Sequence, residues 1–246
     1  MATYTGVADA NGDFNISFGS NEYNSGEKIT VTAEKDSATK SIELYAPSEP
    51  VPPVSSEGIS FTGALNDFPN NIGRVVLSGM DTIAAQTFRG DAAAGFIWTR
   101  ATGLEIKEGI TSIGSNAFQG WTAATDLTIP FWITNIGVAA FYGWINATSL
   151  NIQANITSIS NTAFQGWTKC LSITIPATVT SIGTSAFHNL YNCNEITIHA
   201  LTPPTITTST FTNLKSTCVF RVPAASVAAY QAAANWSAFA ARIQAI

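Results

Sequence analysis

The side chains able to do chemistry are few and scattered. The 246 residues hold two histidines, His188 and His199, and three cysteines, Cys170, Cys193 and Cys218. Two histidines leave little for general acid–base work, which needs a group titrating near the working pH beside its proton partner. No Gly-x-Ser-x-Gly turn, His-Glu-x-x-His pair or phosphate-cradling loop occurs. Glu105, Glu108 and Asp126 stand singly, without the second carboxylate that would push their proton affinities apart. The spacing Asp9-x-Asn11-x-Asp13 is that of the opening of a calcium loop. However, Gly12 lies between the second and third positions instead of after the third, and no Glu closes the loop. Asn11-Gly12 reads instead as a hairpin turn. Arg89-Gly90-Asp91 has the letters of an integrin-binding tripeptide but falls where one repeat ends and an insertion begins. The expectation is a chain that is not an enzyme and carries neither metal nor cofactor.

What organises these residues is a period. Phe118, Phe141, Phe164 and Phe187 are each 23 residues apart, and the windows opening at Trp98, Trp121, Trp144 and Trp167 align without a gap. Each carries a short Leu-x-Ile strand pattern followed by a second apolar cluster. A fixed period of this length marks a solenoid, whose coils bury their apolar positions only against neighbouring coils. Two weaker coils extend the array, one through Val75, Ile83 and Phe88 and one through Ile198, Ile206 and Phe211. The segment Asp91 to Ile97 is inserted between Phe88 and Phe118, and insertions in a solenoid become loops on one side of the stack.

These residues resemble the BspA-like, or treponemal-type, leucine-rich repeats. The likeness rests on Ile-Pro at 129–130 and 175–176, Ile-Gly at 113–114, 136–137 and 182–183, and Ala-Phe at 117–118, 140–141, 163–164 and 186–187, and it covers about residues 72 to 223. The resemblance implies a recognition solenoid of the kind found on bacterial surfaces. One departure stands out. Where the family places Cys after the Phe, this chain has Trp121, Trp144 and Trp167, and where it places Leu this chain has Ala124, Ala147 and Cys170. Large and small have exchanged places, as close packing at fixed backbone requires, so the indoles are expected inside the stack and not on a sugar-binding platform. Cys170 and Cys193 are also 23 apart and Cys218 falls about one coil later. An odd number of thiols, without Cys-x-x-Cys or nearby His, reads as reduced small hydrophobes.

The fold class expected is mainly β: a leucine-rich-repeat solenoid of about six 23-residue coils over 59–223, preceded by a small antiparallel β domain over 1–47 and closed by a helical cap over 224–246. Residues 1–47 show turn signals and alternating runs, and are loosely similar to bacterial and phage immunoglobulin-like modules through a Gly-x-Phe hairpin and the Lys-Ile-Thr-Val-Thr-Ala run. Residues 48–58 are Pro-rich and read as a semi-rigid linker. A sheet as small as the first module is marginal alone and calls for a partner, another copy included. In the last segment Val227, Tyr230, Trp236, Phe239 and Ile243 follow a helical period, interrupted at Asn235.

Charge narrows the partners. A formal charge of −5, a sequence pI near 4.9 and no Lys/Arg cluster exclude the basic footprint that nucleic acid or an anionic membrane would need. No apolar run reaches the roughly 18 to 20 residues of a membrane span, and the opening MATYTGVADANGDF lacks the regions of a secretory signal. Along the repeat strands, the residues alternating with buried ones are Glu105, Lys107, Thr128, Asn151, Gln153, Thr174, Thr197 and His199. This mixed polar stripe is the candidate binding face, suited to hydrogen bonding with a glycan or protein. The expected function is non-enzymatic: a bacteriophage virion component, either a capsid decoration or a tail-associated receptor-binding protein. It would be assembled in the host cytoplasm and held to other virion proteins through residues 1–47, with the solenoid outward. The alternative is a bacterial cell-surface adhesin for host matrix protein or glycan. The sequons at Asn15, Asn146 and Asn155 carry no weight in such a chain.

Overall fold

The computed structural model describes residues 72–91 and 97–246, and before them the backbone of the strands Thr3–Tyr4, Phe14–Ile16, Lys28–Lys35, Ala38–Tyr45 and Ile59–Phe61. The calcium-like run at 9–13, the linker at 48–58 and most of the inserted loop lie outside the described residues. So does the immunoglobulin-like character of 1–47, these strands apart.

The central coils each lay down one long strand, turn, add a two-residue strand and return through an Ala-Phe turn; at 87–88 and 210–211 that turn is Thr-Phe. The long strands are Gly73–Leu77, Ala101–Ile106, Asp126–Ile129, Ser149–Ile152, Ser172–Ile175, Glu195–Ile198 and Val219–Val222. Neighbouring coils pair in parallel and in register, Leu127 opposite Leu150 and Leu150 opposite Ile173. Strand alternation then sends one set of side chains inward and the next outward. Leu150 and Ile152 are buried while Ser149 and Asn151 face out. The long strands form two hydrogen-bonded sheets, the first ending at Ala101–Ile106 and the second running from Asp126–Ile129 to Ile243–Ala245. On the leading side, Phe14–Ile16 pairs antiparallel with Ile59–Phe61, which pairs antiparallel with Gly73–Leu77. The first coil's strand edge, a template for unwanted pairing if bare, is thereby covered.

A single apolar core runs the length of the stack, from Ile72 to Ile243. Two aromatic ladders form its centre. Phe88, Phe118, Phe141, Phe164, Phe187 and Phe211 stack with centroids 5.3–5.6 Å apart. Beside them Trp121, Trp144 and Trp167 stack at 5.5 Å with planes within 1° of parallel. The exchange of large for small is accommodated inside: the three indoles, Ala124, Ala147 and Cys170 all have no exposed surface. Each indole N–H donates to a carbonyl of an adjacent coil, Trp121 to Phe88 at 2.6 Å, Trp144 to Phe118 at 2.7 Å and Trp167 to Phe141 at 2.8 Å. A buried polar tip thus has its partner, and the sugar-platform reading of this ladder is set aside.

The turn that delivers each Phe passes through the left-handed region two residues earlier, at Asn116, Ala139, Thr162 and Ser185, with φ of 54–56°. Asn tolerates this conformation, whereas a β-branched residue is strained in it. Thr162→Asn, which copies the coil at Asn116, is therefore expected to raise stability by about 1 kcal/mol in denaturant melts. An unchanged or lower midpoint would show that the strain is absorbed locally.

The far end is closed by the short 3-10 turn Ala224–Ser226, the helix Val227–Ala232 and the 3-10 segment Trp236–Arg242. Asn235 separates the last two at φ 63°, as its place in the sequence suggested. Trp236 and Tyr230 are buried over the last coils and donate to the carbonyls of Pro204 and Ala200 at 2.7 and 2.9 Å. Burial holds the Tyr230 phenol well above its usual range. One helical expectation is corrected here. Ile243–Ala245 is a strand, paired in parallel with Val219–Val222, because the last coil leaves an open strand edge that this segment satisfies.

Candidate functional site

The outward rows of the long strands make an ordered polar surface. Thr128, Asn151, Thr174 and Thr197 stand directly opposite one another across four strands and form one row. Glu105 lies on the preceding strand, beyond the break between the two sheets, opposite Val76. Lys107, Gln153 and His199 belong to a second row, all exposed, in which Pro130 and Pro176 occupy the intervening coils. Of the eight stripe residues, four are thus brought into one row, three lie beside it, and Glu105 is engaged with Lys107 in an ion pair.

A further row was missed by the sequence reading. Asp126, Ser149, Ser172 and Glu195 are in register on the other flank of the first row. Its ends are neutralised across coils. Arg74 reaches over Gly103 to Asp126 at 3.1 Å while donating to the Leu104 carbonyl at 2.9 Å. At the opposite end Arg221 meets Glu195 at 3.1 Å. A Cβ on Gly103 would sit 3.1 Å from the Arg74 Cζ, so glycine leaves room for the crossing guanidinium. The result is a hydroxyl- and amide-bearing centre bounded by compensated charges. The signal lay in the sequence as unlike residues at one repeat position, but opposite signs two coils apart pair only once register is known.

Other candidates resolve as structure. Cys170, Cys193 and Cys218 are free, buried and adjacent. Burial and the neighbouring Cys193 push the Cys170 thiol up to about 12. Hydrogen bonding to Cys193, together with burial, holds Cys218 higher still. In these two the thiolate, the reactive and metal-binding form, is suppressed, whereas the hydrogen bond with Cys218 shifts Cys193 downward. No group of three or more metal-ligating side chains occurs among the described residues. Arg89 and Asp91 pair with each other at 3.5 Å, and the buried Gly90 between them packs against the Gly120 backbone, so the tripeptide is not presented as an open loop. His188 is half-buried at 3.2 Å from the Asn213 amide.

A second surface feature breaks the repeat. Phe131 and Trp132 follow Pro130 where the other coils carry Gly79-Met80, Glu108-Gly109, Ala154-Asn155, Ala177-Thr178 and Ala200-Leu201. Phe131 is 66% exposed, and Trp132 packs on the core beneath it, the rings meeting edge to face at 5.1 Å.

The model of the BspA-type leucine-rich repeat region matches residues 92–218 in six copies. The chain belongs to this family. Among solved structures this BspA-type chain is similar to the pneumococcal vaccine antigen PcpA, at 19% identity and a TM-score of 0.44 over 53% of this chain and 31% of that one. It is also similar to a leucine-rich repeat protein from Bacteroides ovatus, at 16% identity and a TM-score of 0.38 over 58% of this chain and 47% of that one. The chain therefore spans less than half the length of either. No curated protein matches it. BspA-type membership accounts for the strand, Ile-Gly and Ala-Phe pattern. No helix among the described residues is long and apolar enough to cross a membrane.

Proposed function

We propose that this protein is a non-enzymatic recognition component of a bacteriophage particle, a head decoration or a tail-associated receptor-binding protein. Its N-terminal segment would attach to neighbouring virion proteins, and the polar strand face would meet a glycan or protein of the bacterial surface. The observation that carries the recognition role is the row Thr128, Asn151, Thr174 and Thr197, held in register on a continuous core and flanked by the row Asp126, Ser149, Ser172 and Glu195, whose ends are ion-paired. A rigid, uncharged, hydrogen-bonding surface loses little conformational entropy on binding and selects by geometry more than by electrostatic capture. The loose resemblance of the sequence of residues 1–47 to bacterial and phage immunoglobulin-like modules is what tilts this reading toward the virion, although such modules also occur in adhesins. BspA-type membership favours a second reading, a bacterial cell-surface adhesin for host matrix protein or glycan.

Density-gradient fractionation of lysate from the native source separates the two. Stoichiometric co-migration with DNA-filled particles is the expected result, and migration with cell envelope would replace the virion by the adhesin.

A further inference from the structure

Trp132 packs on the core of the stack, but the Phe131 ring that it carries stands outside it. The other coils turn the same corner with Gly-Met, Glu-Gly, Ala-Asn, Ala-Thr or Ala-Leu, so the solenoid does not require aromatic rings there. Phe131 leaves two-thirds of its surface in water, and the Trp132 indole N–H is dry without a hydrogen-bond partner. Both features cost stability in the free protein, and local rules broken without compensation concentrate at functional sites.

The surroundings say what would use such a ring. Pro130 precedes it, and on the following coil Gln153 and Asn155 run alongside, their backbone N–H groups donating to the carbonyls of Ile129 and Phe131 at 2.9 and 3.3 Å. Both amide side chains are exposed, and Thr128 and Asn151 lead back into the polar row. The other exposed apolar residues of this coil, Val138 and Tyr142, come after the short strand Asn135–Ile136, on later sides of the coil. Phe131 is therefore a single ring among amides and hydroxyls and not part of a contiguous apolar patch of the kind that marks a protein partner. A pyranose fits this arrangement: its C–H face stacks on the ring, and its hydroxyls exchange hydrogen bonds with groups that both donate and accept. Lys107 is paired with Glu105, leaving Glu108 as the carboxylate at the corresponding position one coil earlier, which disfavours acidic sugars.

We infer that Phe131, propped by Trp132 and flanked by Gln153 and Asn155, is a stacking subsite for a neutral saccharide. This rests on the reading of the strand face as the recognition surface and names its ligand class. The test is a panel of immobilised neutral oligosaccharides and their sialylated counterparts, probed with the full chain and with Phe131→Ala and Phe131→Trp. Wild type is expected to bind neutral members over sialylated ones. Phe131→Ala should lose about tenfold or more in affinity and Phe131→Trp should retain binding, with melting unchanged because the ring is exposed. Equal binding by wild type and Phe131→Ala, or no neutral saccharide bound at millimolar concentration, overturns the subsite.

Attachment to intact bacteria separates the two levels. If Asn151→Lys/Thr174→Lys loses attachment while Phe131→Ala keeps it, the face stands and the saccharide subsite falls. If neither variant loses attachment, both fall. Attachment abolished by protease treatment of the cells, and untouched by periodate, identifies a protein ligand and also overturns the subsite.

Discussion

Trp144→Ala is expected to lower stability by about 3–5 kcal/mol, the range for emptying a large buried aromatic site. The indole has no exposed surface and is sandwiched at 5.5 Å between Trp121 and Trp167. Its removal leaves a void between two flat rings that cannot close, because Ala147 at the neighbouring core position is already small. It also strips the Phe118 carbonyl of its 2.7 Å donor. Trp144→Phe should restore part of the apolar contact but not that hydrogen bond, and so fall between the two. Solenoid stability is carried by coil-to-coil interfaces, so a gap at mid-array is also expected to broaden the unfolding transition. Denaturant melts of the three proteins give the comparison. A loss of only a few tenths for Trp144→Ala would mean that the ladder is not the core.

The second large effect is backbone contact between coils. Gly120 lies at φ +79°, and a Cβ there would fall 2.3 Å from the Gly90 carbonyl oxygen. Gly166 occupies the same repeat position at φ +85°, but its nearest neighbour would be 3.5 Å away, at the Gly143 Cα. Both lose conformational freedom on substitution, while only Gly120 forces two backbones apart. Gly120→Ala is expected to cost about 3 kcal/mol or more and Gly166→Ala about 1 kcal/mol. The contrast matters because Gly90, whose N–H donates to the Gln119 carbonyl at 2.6 Å, is where the chain leaves the first coil for the inserted segment. Equal losses would place the effect in backbone conformation alone.

Much of this was legible in the sequence because a solenoid writes its contacts at a fixed separation. The step of 23 residues that aligns Phe118 with Phe141 also stacks them, and the exchange of Trp for Ala in volume indicated burial before any coordinates. Reading failed where contacts depart from that separation. Arg74 pairs with Asp126 at 52 residues' remove, across a coil whose Gly103 is silent in a hydrophobic pattern. Ile243 fits a helical face in spacing, yet an unsatisfied strand edge claims it. Phe131 and Trp132 went unmarked, because apolar letters beside Ile133 do not tell a displayed ring from a packed one and only exposure does. Alternation along each strand picks out the outward residues of the polar stripe, but it does not show that Pro130 and Pro176 interrupt the row of Lys107, Gln153 and His199 or that Glu105 lies across a break between sheets.

The central claim is that the neutral strand face is the surface that meets a ligand. Binding of the purified, fluorescently labelled chain to intact bacteria, wild type against Asn151→Lys/Thr174→Lys, tests it most directly. Both positions point outward, so the fold and its melting should survive. Saturable binding by wild type and a loss of about tenfold or more in the double variant is the result this account requires. Equal binding by the two proteins would contradict it and move recognition off the strand face altogether.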